Sequence, residues 1–237
     1  MKRILITGGC GDIGFATGCL FQSKGFEVIL TGINQREINT RPKIKNIIYE
    51  ILDVTSESDI KLFLKKYNNF DTLINAAGVN LREKEFEIHN FQKVVDVHLN
   101  GTFRMCKYSK NILSKNKGSI VNFASMLSFF GGAVAPAYSS AKGGISQLTK
   151  SLAINYAKNN IRVNAVAPGW IDTKMSAPLK SEKYPTREKE ILTRTPLNRW
   201  GVPSDLAGPI YFLSSEEMSS FITGIILPVD GGYLAYP

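Results

Sequence analysis

Short apolar runs alternate with longer amphipathic stretches along the whole chain. Runs bounded by turn residues predict strands at 3–7, 27–31, 47–52, 72–75, 119–123, 162–166 and 225–228. Helical spacing of apolar positions fills the gaps, at 13–23, 56–66, about 91–114 and about 138–158, the last with Ile145, Leu148 and Leu152 on one stripe. No repeat, low-complexity tract or linker interrupts the pattern. Short strands alternating with longer helices predict α/β architecture: one doubly wound parallel sheet of Rossmann type, helices on both faces, in a single domain spanning 1–237. Such sheets bind ligands at the carboxyl ends of their strands.

Composition narrows the class. With 43% hydrophobic and 21% charged residues and a mean hydropathy of −0.06, the 237-residue chain can bury a full core. Its apolar runs are too short for a membrane span, and MKRILITGG reaches glycine too early for a leader, so a cytoplasmic protein without a membrane partner is expected. Cys10, Cys19 and Cys106 form no CxxC pair and no metal spacing with His89 or His98, so neither a disulfide framework nor a metal site is expected. The net charge of +9 suits an anionic partner. The lysines are scattered on solvated helix faces without a nucleic-acid-binding signature, so the charge reads as ordinary surface, and a small-molecule partner is expected rather than nucleic acid.

The first strand runs into Thr7-Gly8-Gly9-Cys10-Gly11-Asp12-Ile13-Gly14 and then a helix. Glycines there let the backbone approach a pyrophosphate, and the free amides of the helix start attract its charge. Gly8, Gly11, Asp12, Ile13 and Gly14 are therefore candidate dinucleotide-binding residues.

This stretch resembles the TGxxxGxG turn of the short-chain dehydrogenase/reductases, with Asp12 in place of the middle glycine. An aspartate at a helix start can cap it and point outward, so binding should survive. Further along, Asp53 resembles the family's adenine-contacting aspartate, and Asn75-Ala76-Ala77-Gly78 its NNAG turn. Asn164, Pro168, Gly169 and Thr173 match the segment that passes the nicotinamide. The resemblance thus implies cofactor contacts at Asp53, Asn75, Ala76, Gly78, Pro168, Gly169 and Thr173, as well as at Tyr138 and Lys142, and NAD(P)(H) as cofactor.

Tyr138 and Lys142 are four residues apart at a helix start, hence on one face, and Ser125 lies 13 residues before Tyr138 at a strand end. Hydride transfer between a carbinol and a nicotinamide needs a matching proton transfer at oxygen, and a free tyrosine, with a pKa of about 10, is a poor base. Lys142 and an oxidised nicotinamide would favour the tyrosinate, and Ser125 would stabilise the alkoxide. His98 occupies the position of the family's helix asparagine. Asn100, about 200° further round, cannot substitute for it. His98 is either a member of a water relay from Lys142, hence a fourth catalytic candidate, or a packed structural residue. A serine-hydrolase reading of Ser125 lacks a GxSxG elbow.

Gly32 stands where NAD-preferring members carry an acid, so NADP(H) should be accepted at least as readily as NAD(H), with Arg36 or Arg41 within reach of a 2′-phosphate. The segments ASMLSF, PLNRWG, DLAGP and VDGGYL are similar to bacterial sugar-acid dehydrogenases of the 2-dehydro-3-deoxy-gluconate 5-dehydrogenase and gluconate 5-dehydrogenase type. That likeness implies an alcohol–ketone oxidoreductase on a sugar acid or polyol. The alternatives are a 3-oxoacyl-thioester (carrier-protein) reductase or, in another class, a non-catalytic nucleotide-binding or scaffold protein. Residues 174–200 are polar and loop-rich, as a substrate lid would be. Arg82, on the rim of the expected site, could hold a carboxylate or pair with Glu83 or Glu85. The terminal GGYLAYP and the family's two long helices imply a homo-oligomer, a tetramer or dimer.

Overall fold

The structure, a computed structural model, describes residues 1–182 and 184–235. Tyr236 and Pro237, which end the GGYLAYP segment, and residue 183 of the expected lid lie outside the described residues.

Seven parallel strands form one sheet: β1 (Arg3–Thr7), β2 (Glu27–Gly32), β3 (Ile47–Ile51), β4 (Thr72–Asn75), β5 (Ser119–Phe123), β6 (Arg162–Pro168) and β7 (Ile226–Val229). Their order is β3-β2-β1-β4-β5-β6-β7, so the chain reverses its direction of winding between β1 and β4. Alternate residues of each buried strand feed opposite cores. Leu5, Ile29, Leu73 and Ile120 pack on one face with Ile60, Met105 and Leu152, while Ile4, Ile6, Val28 and Leu30 pack on the other with Phe21, Leu206 and Ile210. The first face is covered by α3 (Glu57–Lys66), α5 (Gly101–Lys115) and α6 (Pro136–Ala157), and the second by α1 (Asp12–Ser23) and α8 (Pro203–Ser214).

Short helices complete the fold: α2 (Gln35–Ile38), α4 (Ile88–Val95), α7 (Arg187–Arg194) and α9 (Glu216–Ser219). The long helix expected at about 91–114 is real but not regular, because a π turn at Asp96–Asn100 joins α4 to α5. Helix α6 starts at Pro136, a residue suited to a first helical turn, two residues before Tyr138. The expected lid is partly helical, since α7 lies within it. Among the described residues no helix is long and apolar enough to cross a membrane, and no group of three His, Cys, Asp or Glu could hold a metal ion.

Candidate active site

A cleft of about 1750 Å³ opens along the carboxyl ends of the strands, centred on the reversal between β1 and β4. Its floor is the glycine turn. Gly8 has φ of +63°, and a Cβ there would come within 2.6 Å of the Ala77 backbone, so the turns after β1 and β4 close on each other only through glycine. Gly11 is the N-cap of α1 and brings no side-chain cap, which leaves the first amides of the helix turned to the cleft beside Asp12, Ile13 and Gly14. This uncapped helix start, reached by tight glycine backbone, fits the pyrophosphate of a dinucleotide.

Asp12, in the first turn of α1 and lining the cleft, is engaged rather than free to point outward. One carboxylate oxygen takes the Arg41 guanidinium at 2.7 Å and the other accepts the Lys174 N–H at 2.7 Å. Burial raises its pKa, but the bonds to Lys174 and Arg41 outweigh this and hold it below the usual range. Arg41 also donates to the Cys10 carbonyl at 2.8 Å and lies over the Phe15 ring.

Asp53, Ala76, Gly78, Pro168, Gly169 and Thr173 all line the cleft. Asp53 spends one oxygen on the Thr55 N–H and hydroxyl. Asn75 is a correction to the expected cofactor set. It is 3% exposed and does not line the cleft; its amide donates to Asn122 at 2.9 Å and ties β4 to β5. Asn164 is likewise internal, bonding Ile222 and Ile225.

At the far end the cleft brings Ser125, Tyr138 and Lys142 together. Ser125 ends the β5 segment and accepts the Leu127 N–H at 3.1 Å, which leaves its own proton to donate. Lys142 is 4% exposed, donates to the Phe123 carbonyl at 2.6 Å and stands 5.3 Å from the centre of the Tyr138 ring. Burial works against charge on both groups. It drives Tyr138 up to about 12, against a Ser125 hydrogen bond that lowers it, and Lys142 down to about 7.

His98 sits in the π turn, 2% exposed, with Nε2 2.6 Å from the Val79 carbonyl oxygen. Its Nδ1 is buried without a partner, and among the described residues it makes no bond to Lys142. Burial, with Lys142 nearby, pushes its pKa down to about 3, so the ring is neutral. A Cβ on Gly78 would collide with this ring. Asn100 faces away, donating to Asp96 at 3.0 Å.

Two acidic residues were missed in the sequence. Glu85 is fully buried; it accepts the Leu81 N–H at 3.2 Å and the Tyr138 N–H at 2.9 Å, and so fixes the start of α6. Glu37, on α2, accepts the Ile33 N–H at 2.9 Å and lies beside Gly32. No motif marks either one, since each acts through a backbone contact that only the fold creates. Arg82 lines the cleft but reaches across it, donating to the Met175 carbonyl at 2.9 Å.

The short-chain dehydrogenase model described as enoyl-(acyl carrier protein) reductase matches residues 10–234. The chain is 34% identical to a 2-dehydro-3-deoxy-D-gluconate 5-dehydrogenase of Formosa agariphila over 99% of its own length and 93% of the relative's. It is 36% identical to a 3-oxoacyl-(acyl-carrier-protein) reductase of Thermotoga maritima, over 98% and 97%. A crystal structure from Agrobacterium tumefaciens, described as a candidate 2-deoxy-D-gluconate 3-dehydrogenase with bound NADP, superposes with a TM-score of 0.87 at 33% identity, covering 99% of this chain and 96% of that one. With sheet order, glycine turn and family match in agreement, the chain belongs to the short-chain dehydrogenase/reductase family of NAD(P)-dependent oxidoreductases.

Proposed function

We propose that this oxidoreductase interconverts a secondary alcohol and a ketone on a sugar acid or related polyol, with Tyr138 as the proton-transfer group. The observation that carries the reading is the meeting of Ser125, Tyr138 and Lys142 at one end of a cleft whose other end is a dinucleotide-type glycine turn. The glycine turn, Asp53, Ala76, Gly78, Pro168, Gly169 and Thr173 would hold the dinucleotide, which supplies or accepts the hydride when bound. In the reducing direction the Tyr138 hydroxyl gives its proton to the substrate oxygen, and Ser125 donates a hydrogen bond to that same oxygen. Lys142, held by the Phe123 carbonyl, sets the charge beside the phenol. The sugar-acid preference is supported by the likeness to 2-dehydro-3-deoxy-D-gluconate 5-dehydrogenases and by the basic residues Arg82, Lys174, Arg187 and Arg194 that line the cleft.

A 3-oxoacyl-thioester reductase is the second reading, favoured by the likeness to the Thermotoga protein. Absorbance of the reduced nicotinamide, followed with a panel of sugar acids, acetoacetyl thioesters and a substrate-free control, separates the two. Turnover of the sugar acids supports the first reading, and turnover of thioesters alone supports the second.

The protein is further taken to be a homo-oligomer, tetramer or dimer. Phe103 on α5 and Ile154 on α6 support this, being 45% and 81% exposed. Sedimentation showing only a 26.2 kDa species at micromolar concentration would overturn it. Three free thiols, at Cys10, Cys19 and Cys106, suit a reducing compartment, and the cytoplasm is proposed as its location.

A further inference from the structure

Resting on the reading of the cleft as a dinucleotide site, we infer that Glu37 is the residue that selects the cofactor, binding the adenosine ribose hydroxyls and so favouring NAD(H) over NADP(H). In a doubly wound sheet the ribose next to the adenine lies off the end of β2, and an acid there bonds its hydroxyls. The strand-end residue of this chain is Gly32, which has no side chain to offer. The space beside it is nevertheless not empty. A Cβ built on Gly32 would lie 3.2 Å from Glu37 Oε2, so the carboxylate already stands where a side chain of the strand end would start.

Two local contacts keep it there. The Asn34 side chain caps α2 by accepting the Glu37 N–H at 3.0 Å, which sets the direction of the side chain. Oε2 accepts the Ile33 N–H at 2.9 Å. Oε1 has no protein partner among the described residues and remains available to a ligand, and Glu37 and Gly32 both line the cleft. The charge is also felt at the glycine turn: burial first, and Glu37 second, raise the Cys10 thiol to about 11.

The cations that might welcome a 2′-phosphate are differently placed. Arg41 is engaged by Asp12, the Cys10 carbonyl and the Phe15 ring. Arg36 also lines the cleft and is exposed, a solvated charge that cannot match a carboxylate already seated at the strand end. A phosphate at that position would meet like charge, whereas a ribose diol would donate two hydrogen bonds to it.

Equilibrium binding tests this without turnover. Kd for NAD+ and for NADP+, by calorimetry or protein fluorescence, should differ by about tenfold or more in favour of NAD+ in the unaltered protein. Glu37→Gln should weaken NAD+ and tighten NADP+, so the ratio collapses, while the melting temperature without ligand stays the same. Equal affinities, tighter NADP+, or a ratio that Glu37→Gln leaves unchanged would each overturn the inference while leaving the dinucleotide site intact. Binding of neither cofactor would remove the site itself, and the inference with it.

Discussion

The imidazole of His98 stands edge-on to the ring of Tyr138, with centroids 5.0 Å apart and planes at 85°. Nothing in the contact is ionic. The His98 ring is neutral, anchored by Nε2 to the Val79 main chain and wedged against Gly78, where any side chain would strike it. It braces the turn after β4 against the face of α6 that carries Tyr138, a packing role that keeps its geometry whether or not a proton ever passes through it.

That neutrality predicts acid sensitivity. A histidine whose folded pKa is about 3 must be charged in the unfolded chain below about 6.5, so its contribution is complete above pH 6.5 and is lost as the pH falls toward 3. Denaturant titrations should show stability falling more steeply with acid in the unaltered protein than in His98→Asn, by up to about 1.4 kcal/mol per pH unit. Parallel slopes would mean that the ring is charged in the folded protein.

Tyr138 predicts opposite pH behaviour in the two directions. Because burial holds its pKa far above neutrality, the protonated phenol needed for ketone reduction is present throughout the neutral range. Alcohol oxidation needs the tyrosinate and should speed up with rising pH, by up to tenfold per unit below its pKa in the complex. Tyr138→Phe should lower kcat by roughly two to four decades in both directions while sparing cofactor affinity. A flat oxidation profile together with an active Tyr138→Phe would take this residue out of the chemistry.

Glu85 should behave as a positioning residue. Glu85→Ala leaves the Leu81 and Tyr138 amides buried without acceptors, costing about 1–3 kcal/mol for an unpaired donor, and should lower kcat more than it raises KM. Glu85→Gln, which keeps one carbonyl acceptor, should recover most of both. Unchanged melting temperature and kcat in Glu85→Ala would show that α6 holds Tyr138 unaided.

Arg82 can be tested by substrate charge. If its guanidinium leaves the Met175 carbonyl to grip a carboxylate, Arg82→Ala should cost about 1.5–3 kcal/mol in kcat/KM on a sugar acid and little on a neutral polyol. Equal losses on both would mark it as a strut between the turn after β4 and the lid.

Much of this molecule was legible in its sequence, and what was not has a common cause. Period and turn chemistry located the seven strands to within a residue or two, and the spacing of Ser125, Tyr138 and Lys142 survives intact because one strand end and one helix face carry them. Asn75 was misjudged because its motif position says nothing of which way the side chain turns, and here it turns inward to Asn122. The π turn holds His98 against Gly78 and Tyr138, residues 20 positions before and 40 after it, contacts that helical periodicity cannot register. Glu37 escaped notice because it belongs to the next helix rather than to the strand, and its carboxylate comes beside Gly32 only in the fold.

Asp12, at the start of α1, joins two parts of the chain 162 positions apart by accepting a main-chain N–H at Lys174. Because the donor is backbone, the bond can form with any residue but proline at position 174, and the charge of Lys174 adds to it. A glycine at position 12 would offer neither this acceptor nor the one that holds Arg41, so a single carboxylate moors both the loop after α2 and the segment after β6 to the start of α1.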